Sequence, residues 1–202
     1  AASRNAKGIP NIRFVQADLC SPPFFKNSFD YIFSFGVLHH TPDTRKAFSA
    51  LAPLLAQNGE FAFYVYRKKA PLREYSDDFV RETIRTMSLD DAWEEMERLT
   101  LFGKALSDLK AQIDIPAIPT LGIEGGKHDV QRLFYYTVLK CYWRDGWSLE
   151  ENTHINFDWF YPQYSWRHTV EEVRDWIDEA GMSEREFIEI PAGLSFRVGR
   201  LR

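Results

Sequence analysis

The chain has 202 residues, 45% of them hydrophobic, which is enough to bury one sizeable core in one or two domains. A formal charge of -4 and a pI near 5.8 offer no overall attraction to a phosphate backbone, so nucleic acid is not an expected partner. No run approaches the roughly 18 apolar residues of a membrane helix and no secretion signal opens the sequence; Cys20 and Cys141 stand in no metal-ligand spacing, so both read as reduced thiols of a cytoplasmic protein.

Residues 1–7 are polar and read as helical. Residues 12–19 (IRFVQADL) form a β-rich run of mixed rather than alternating pattern, as expected of a strand covered on both faces, with Asp18 at its end. A turn-rich stretch with Pro22-Pro23 leads into residues 29–35 (FDYIFSF), a second strand too apolar for an open surface, ended by Gly36. Thr41-Pro42-Asp43 supplies a capping hydroxyl and a proline pre-set for the first helical position, which predicts a helix from there to about Gln57 with Phe48, Leu51 and Leu55 on one face and Asn58-Gly59 as its stop. Pro53 cannot donate to the Ser49 carbonyl and must kink or divide that helix. Residues 60–67 (EFAFYVYR) make a third buried strand, and strand, strand, helix, strand in this order predicts an α/β sheet with helical crossovers.

From residue 68 to about 166 the chain is helical and aromatic, without a clear strand. Leu89, Trp93, Met96, Leu99, Phe102, Leu106, Leu109 and Ile113 recur at helical spacing, as do Val130, Leu133, Phe134, Thr137, Val138 and Cys141, so two long amphipathic helices are predicted with a proline- and glycine-rich loop between them at 115–127. The sheet pattern then returns. Thr169 and Glu172 form a capping box for a helix with Val173, Trp176, Ile177 and Ala180 on one face and Gly181 as its stop. Residues 186–190 and 194–198 read as strands of a closing antiparallel hairpin.

The segment NIRFVQADLCSPPFFKNSFDYIFSFGVLHHTPD, residues 11–43, resembles the middle of class I S-adenosylmethionine-dependent methyltransferases of the small-molecule type, in which an acidic strand end and a leucine-histidine-histidine after the next strand occur together. The resemblance extends to residue 67, returns more weakly from about 158, and is absent between. It implies an incomplete Rossmann-like sheet formed by residues 1–67 and 167–202, with residues 68–166 inserted after the fifth strand as a helical substrate lid. It further implies that Asp18 accepts a hydrogen bond from the adenine amine of the cofactor, S-adenosylmethionine, with the Leu19 amide beside it. On the same grounds Ser34, Phe35 and Gly36 meet the methionine part through their backbone, and His39 and His40 line the site. A turn or cap is the alternative role for Asp18 and a structural one for either histidine; a metal is not expected, because adjacent side chains diverge and no third ligand stands at useful spacing.

In the family the first strand ends in an acidic-x-glycine-x-glycine loop, which at about 30 residues per crossover unit stands roughly 60 residues before the position of Asp18. Here 17 residues precede Asp18, and Gly8 is the one glycine among them. This chain is therefore expected to be the C-terminal part of such a fold, lacking the centre of the sheet, binding cofactor poorly alone, and forming homo-oligomers through unpaired sheet edges.

The activity implied is methyl transfer to a small-molecule acceptor, in which the protein mainly positions the acceptor and a base is optional. His40 and His168 are the candidate catalytic bases, with Tyr161 and Tyr164 behind them. Residues 158–169 (DWFYPQYSWRHT) carry five aromatics in twelve and read either as a hydrophobic plug or as the acceptor site. In the second reading Asp158, Tyr161, Tyr164 and Arg167 contact substrate, Tyr164, Arg167 and His168 face the mouth of the cofactor cleft, and Trp159 and Phe160 pack more deeply. The competing readings are a non-catalytic Rossmann-like module acting through its helical insertion, and a nucleotide-dependent oxidoreductase, which gives no reason for the LHH segment.

Overall fold

A computed structural model describes residues 4, 6 and 8–201, so the helical expectation for residues 1–7 lies largely outside the described residues. The strand with the most partners is β2 (Leu55–Arg67), paired on both edges. On one side it pairs in parallel with β1 (Phe29–Phe35) and then with the two residues of β5 (Arg167–His168). On the other it pairs antiparallel with β7 (Gly193–Arg200), which in turn pairs with β6 (Met182–Glu189). The order β1-β2-β7-β6 is a mixed sheet closed by the predicted hairpin.

The helix after β1 starts and stops for reasons visible in the sequence. Asp43 rather than Thr41 is the cap of α1 (Thr44–Leu51), its carboxylate accepting from the Lys46 amide at 2.9 Å. Pro53 then divides the predicted helix: α1 gives way at once to a 3-10 turn, Ala52–Leu54. The freed chain enters β2 at Leu55, five residues earlier than expected, and Asn58-Gly59 forms an irregularity inside the strand instead of a helix stop, since the register against β1 shifts between Phe29↔Leu55 and Tyr31↔Glu60. A Cβ on Gly59 would lie 2.8 Å from the Asp30 carbonyl, so only glycine fits there.

Phe48 of α1 stacks between Phe61 and Phe63 of β2 and Trp176 of α6 (Val170–Glu179), and with Leu38, Leu55, Val65, Ile177 and Val198 these form the main core. The capping box of Thr169 and Glu172 is present as predicted.

Two expectations fail at the outer edge. Residues 12–19 form no strand, and Phe14 and Val15 are more than half exposed. β1, expected to be enclosed, presents Tyr31, Phe33 and Phe35 to solvent. Both failures have one cause: an apolar run becomes a covered strand only beside a ladder partner, and β1 pairs with β2 alone among the described residues.

Residues 68–166 hold α2 (Pro71–Ile84), α3 (Leu89–Asp108), α4 (Val130–Thr137) and α5 (Leu149–Phe160), together with an antiparallel ribbon of β3 (Gln112–Ile115) and β4 (Gly126–Asp129) that replaces part of the predicted loop. The buried line of α3 is Ala92, Met96, Thr100 and Gly103, whereas the larger Leu89, Phe102 and Leu109 face outward. Close approach decides this: a Cβ on Gly103 would lie 2.4 Å from the Cys141 carbonyl. The predicted second helix also ends early, at Thr137. Beyond it, Asn156 accepts from the Tyr142 amide (2.8 Å) and donates to its carbonyl (3.1 Å), and Asn152 does the same for Arg144 (2.8 and 3.2 Å). Two asparagines one turn apart on α5 thus satisfy irregular backbone as a strand would. None of these helices is long and apolar enough to cross a membrane.

The insertion is centred on a buried ion pair, Arg73 Nε to Asp77 Oδ2 at 2.6 Å, with both side chains about 1% exposed. Asp77 also accepts from the Lys140 amide (3.0 Å) and from Trp159 Nε1 (2.8 Å), while Arg73 donates to the Tyr135 carbonyl. One carboxylate therefore joins α2, the segment after α4, and α5. Asp77→Ala should cost about 3 to 5 kcal/mol, because it strands a buried guanidinium and two N–H donors. Urea unfolding checks this, and Arg98→Ala, which breaks only exposed pairs with Glu94 and Glu95, should leave the midpoint in place.

Candidate functional site

β1 ends at Phe35, and Gly36 turns the chain with φ +72°, a left-handed conformation that favours glycine. The next residues form a 3-10 turn, Leu38–His40, whose Leu38 is fully buried in the main core. His39 is fully buried as well, with its ring 3.8 Å from that of Tyr66 and neither ring nitrogen hydrogen-bonded. His40 lies over the edge of the same tyrosine, and its Nδ1 is 2.6 Å from the Tyr164 carbonyl.

The returning segment 164–168 docks on this turn. The Trp166 amide donates to the His39 carbonyl and its indole N–H to the Thr41 carbonyl, each at 3.0 Å. Arg167 and His168 then pair with Tyr66 and Arg67, occupying the place beside β2 that β1 vacates after Phe35↔Tyr64. The fold so brings together the LHH segment and the aromatic segment that the sequence analysis treated separately.

Asp18 lies in a turn, where Oδ1 accepts from the Cys20 amide at 2.8 Å and the Asp18 carbonyl accepts from the Ser21 amide at 3.1 Å. Its side chain is exposed, and the second carboxylate oxygen has no hydrogen-bond partner among the described residues. Leu19 packs half-buried against the main core. Ser34 is buried, and the exposed ring of Phe35 stacks on Phe33 and Tyr64.

The acceptor-side candidates separate. Tyr164 and Arg167 line one cleft of ≈ 560 Å³ together with Glu74, Arg81, Gln163 and Trp166. Arg167 is held there by Glu74 (2.8 Å) and Asp78 (2.7 Å) of α2, and burial outweighed by those carboxylates keeps its guanidinium charged. Asp158 and Tyr161 do not line this cleft: Asp158 is exposed near His154, and Tyr161 stacks on Phe157. Trp159 and Phe160 are buried. His168 is enclosed edge-on against Trp176, with Nδ1 3.7 Å from the Glu172 carboxylate and Nε2 without a partner.

Burial sets the electrostatics. It lowers His39 to about 3, helped by His40 and His168, and it lowers His168 to about 4 against the pull of Glu172. It raises the Tyr66 phenol to about 12, and it lowers both Lys69 and Lys140 to about 7 with Arg73 adding repulsion. Tyr66, Lys69 and Lys140 were not among the sequence candidates. The one available signal for Tyr66 was its place at the end of the FAFYVY strand; the lysines carried none, because their burial follows from packing of the insertion.

Comparison with known proteins bears on the first part of the chain most directly. Residues 1–63 match the family model described as a methyltransferase domain. Over 79 residues the chain is 38% identical to the uncharacterized methyltransferase YcgJ of Bacillus subtilis (strain 168), an alignment covering 39% of this chain and 30% of that protein. Among solved structures, PKMT2 from Rickettsia typhi in complex with AdoHcy superposes with a TM-score of 0.56 at 13% identity, covering 98% of this chain and 40% of that one. A S-adenosylmethionine dependent methyltransferase from Mesorhizobium loti gives 0.50 at 14% identity, covering 98% and 74%. These likenesses establish the fold, a Rossmann-like α/β methyltransferase fold. The chain spans less than a third of the curated relative's length.

The buried histidines make stability depend on pH. Their unfolded value is about 6.5 and both folded values are lower, so the unfolded chain takes up protons first as pH falls. Stability is fully present above pH 6.5 and is lost as pH falls toward the folded values, each histidine adding up to ~1.4 kcal/mol per pH unit. Urea midpoints measured from pH 7.5 to pH 5 should therefore fall, and His39→Phe should flatten the curve. Equal slopes for both proteins would remove His39 from the linkage.

Proposed function

We propose that the complete protein transfers a methyl group from S-adenosylmethionine to a small-molecule acceptor. The observation carrying this reading is that the match to a methyltransferase domain spans residues 1–63. That stretch contains Asp18, residues 34–36 and His39, and the fold sets residues 34–36 at the C-terminal end of β1, where α/β sheets receive ligands.

The residues present fit the cofactor. Asp18 has an exposed carboxylate oxygen without a partner, suited to the adenine amine, with the Leu19 amide next to it. The backbone at Gly36 faces open space, since a Cβ there would meet nothing within 4 Å, and with Ser34 and Phe35 it would hold the methionine part. When bound, the cofactor supplies a methyl group already activated on a sulfonium.

The chain's own groups then position an acceptor and take its proton. His40 is the better placed base. By donating from Nδ1 to the Tyr164 carbonyl it leaves Nε2 as the proton acceptor, whereas His168 is enclosed beside Trp176. Tyr164 and Arg167 line the acceptor cleft, Arg167 fixed by α2. The outer edge of β1, unpaired among the described residues, supports the expected homo-oligomer as part of the same proposal, since it presents its backbone beside exposed rings.

In the complete protein, Asp18→Ala should weaken S-adenosylmethionine binding by about 1 to 3 kcal/mol in calorimetry; an unchanged dissociation constant would refute the assignment. His40→Gln should lower kcat more than His168→Gln while holding cofactor affinity within about twofold, as befits a group that acts on the acceptor.

A further inference from the structure

A second cleft, of ≈ 570 Å³, opens where β2 ends, between residues 67–71, the β3–β4 ribbon, α4 and the hairpin turn at Pro191. Its size suits a small molecule. Five basic residues line it, Arg67, Lys68, Lys69, Lys127 and Arg132, against two carboxylates, Glu124 and Asp129. Asp129 keeps its charge and is fixed as the cap of α4, accepting from the Arg132 amide at 2.9 Å.

The cations divide into two sets. Arg67 and Lys68 are matched by Glu189 and Glu172, each at 3.0 Å. Lys127 and Arg132 have no ion pair among the described residues. Lys69 rests on the carbonyls of Pro191 (2.6 Å) and Ala192 (2.7 Å), which hold its nitrogen at the rim, and burial weakens its hold on a proton, so the unmatched charge of the cleft is that of Lys127 and Arg132. Between these charges the lining is apolar: Pro71, Ile123, Leu133, Tyr136 and Pro191.

We propose that this cleft binds a small organic acid, with its carboxylate held by Arg132 and Lys127 and its apolar body set against Ile123, Leu133 and Tyr136. A planar guanidinium matches a carboxylate in two parallel hydrogen bonds, and the apolar residues offer an organic body a contact that a hydrated inorganic ion does not use. The site shares the end of β2 with the cleft of Arg167, Lys68 lying on both, so the bound acid stands beside the proposed acceptor side. Binding of the acid at this cleft is independent of methyl transfer.

Calorimetry on the full chain tests it with three probes: phenylacetate, inorganic phosphate as charge without an apolar body, and 2-phenylethanol as the body without charge. Phenylacetate should bind with one-to-one stoichiometry and at least tenfold more tightly than either control. Arg132→Gln and Lys127→Gln should each weaken it severalfold, and Arg98→Gln, far along α3 and outside the cleft, should not. Lys127 is exposed on the ribbon, so its variant keeps the test valid if Arg132→Gln disturbs α4, which thermal melting would reveal. No saturable binding of phenylacetate up to about 10 mM, equal binding of phosphate, or wild-type affinity in both variants would overturn the proposal.

Discussion

Double-sided pairing of β2 is the constraint on which the rest of the structure depends. Backbone amides and carbonyls in a buried strand must be satisfied on both edges, and β2 achieves this with three different partners along its length. β7 covers one edge throughout the buried half of the strand. On the other edge β1 runs out at Phe35, and β5 supplies the remaining two pairs. That handover draws residues 164–168, which follow the whole insertion, back to the LHH turn. The site is thus a consequence of where one ladder ends.

The same requirement explains the interior of the insertion. Of the regularly spaced apolar residues of α3, Met96 and Leu99 reach the insertion's core, and small residues, Ala92, Thr100 and Gly103, complete the buried line and let α3 approach the backbone at Cys141. Irregular chain at 138–143 is then buried or half-buried, and Asp77, Asn156 and Asn152 meet the backbone of Lys140, Tyr142 and Arg144. A buried charge pair seldom adds net stability over an apolar alternative, yet removing one partner is costly. Asp77 and Arg73 therefore fix how the insertion is assembled more than they stabilise it.

Two chemistries meet at the C-terminal end of the sheet. Toward β1 lie neutral, enclosed groups, His39, Tyr66 and His168, whose proton affinities are displaced by burial. Toward α4 and the ribbon lie charged groups, of which Lys127 and Arg132 have no ion pair among the described residues.

The sequence by itself determined the local elements whose causes are local. Pro53 divides its helix, Thr169 and Glu172 cap theirs, and residues 193–200 return as the closing strand, because a missing N–H, a hydroxyl three residues from a carboxylate, and a turn before an apolar run act within a few residues. Asp18, Gly36, His39 and His40 were singled out by the resemblance of residues 11–43 alone. Tertiary structure alone decided whether apolar runs are covered. Residues 12–19 and 29–35 carry the pattern of enclosed strands, yet the first pairs with nothing among the described residues and the second is an edge, since enclosure depends on a neighbour that no local pattern specifies. It also decided the docking of segment 164–168, the burial of Lys69 and Lys140, and the basic cleft, all of which arise from contacts between residues distant in the chain.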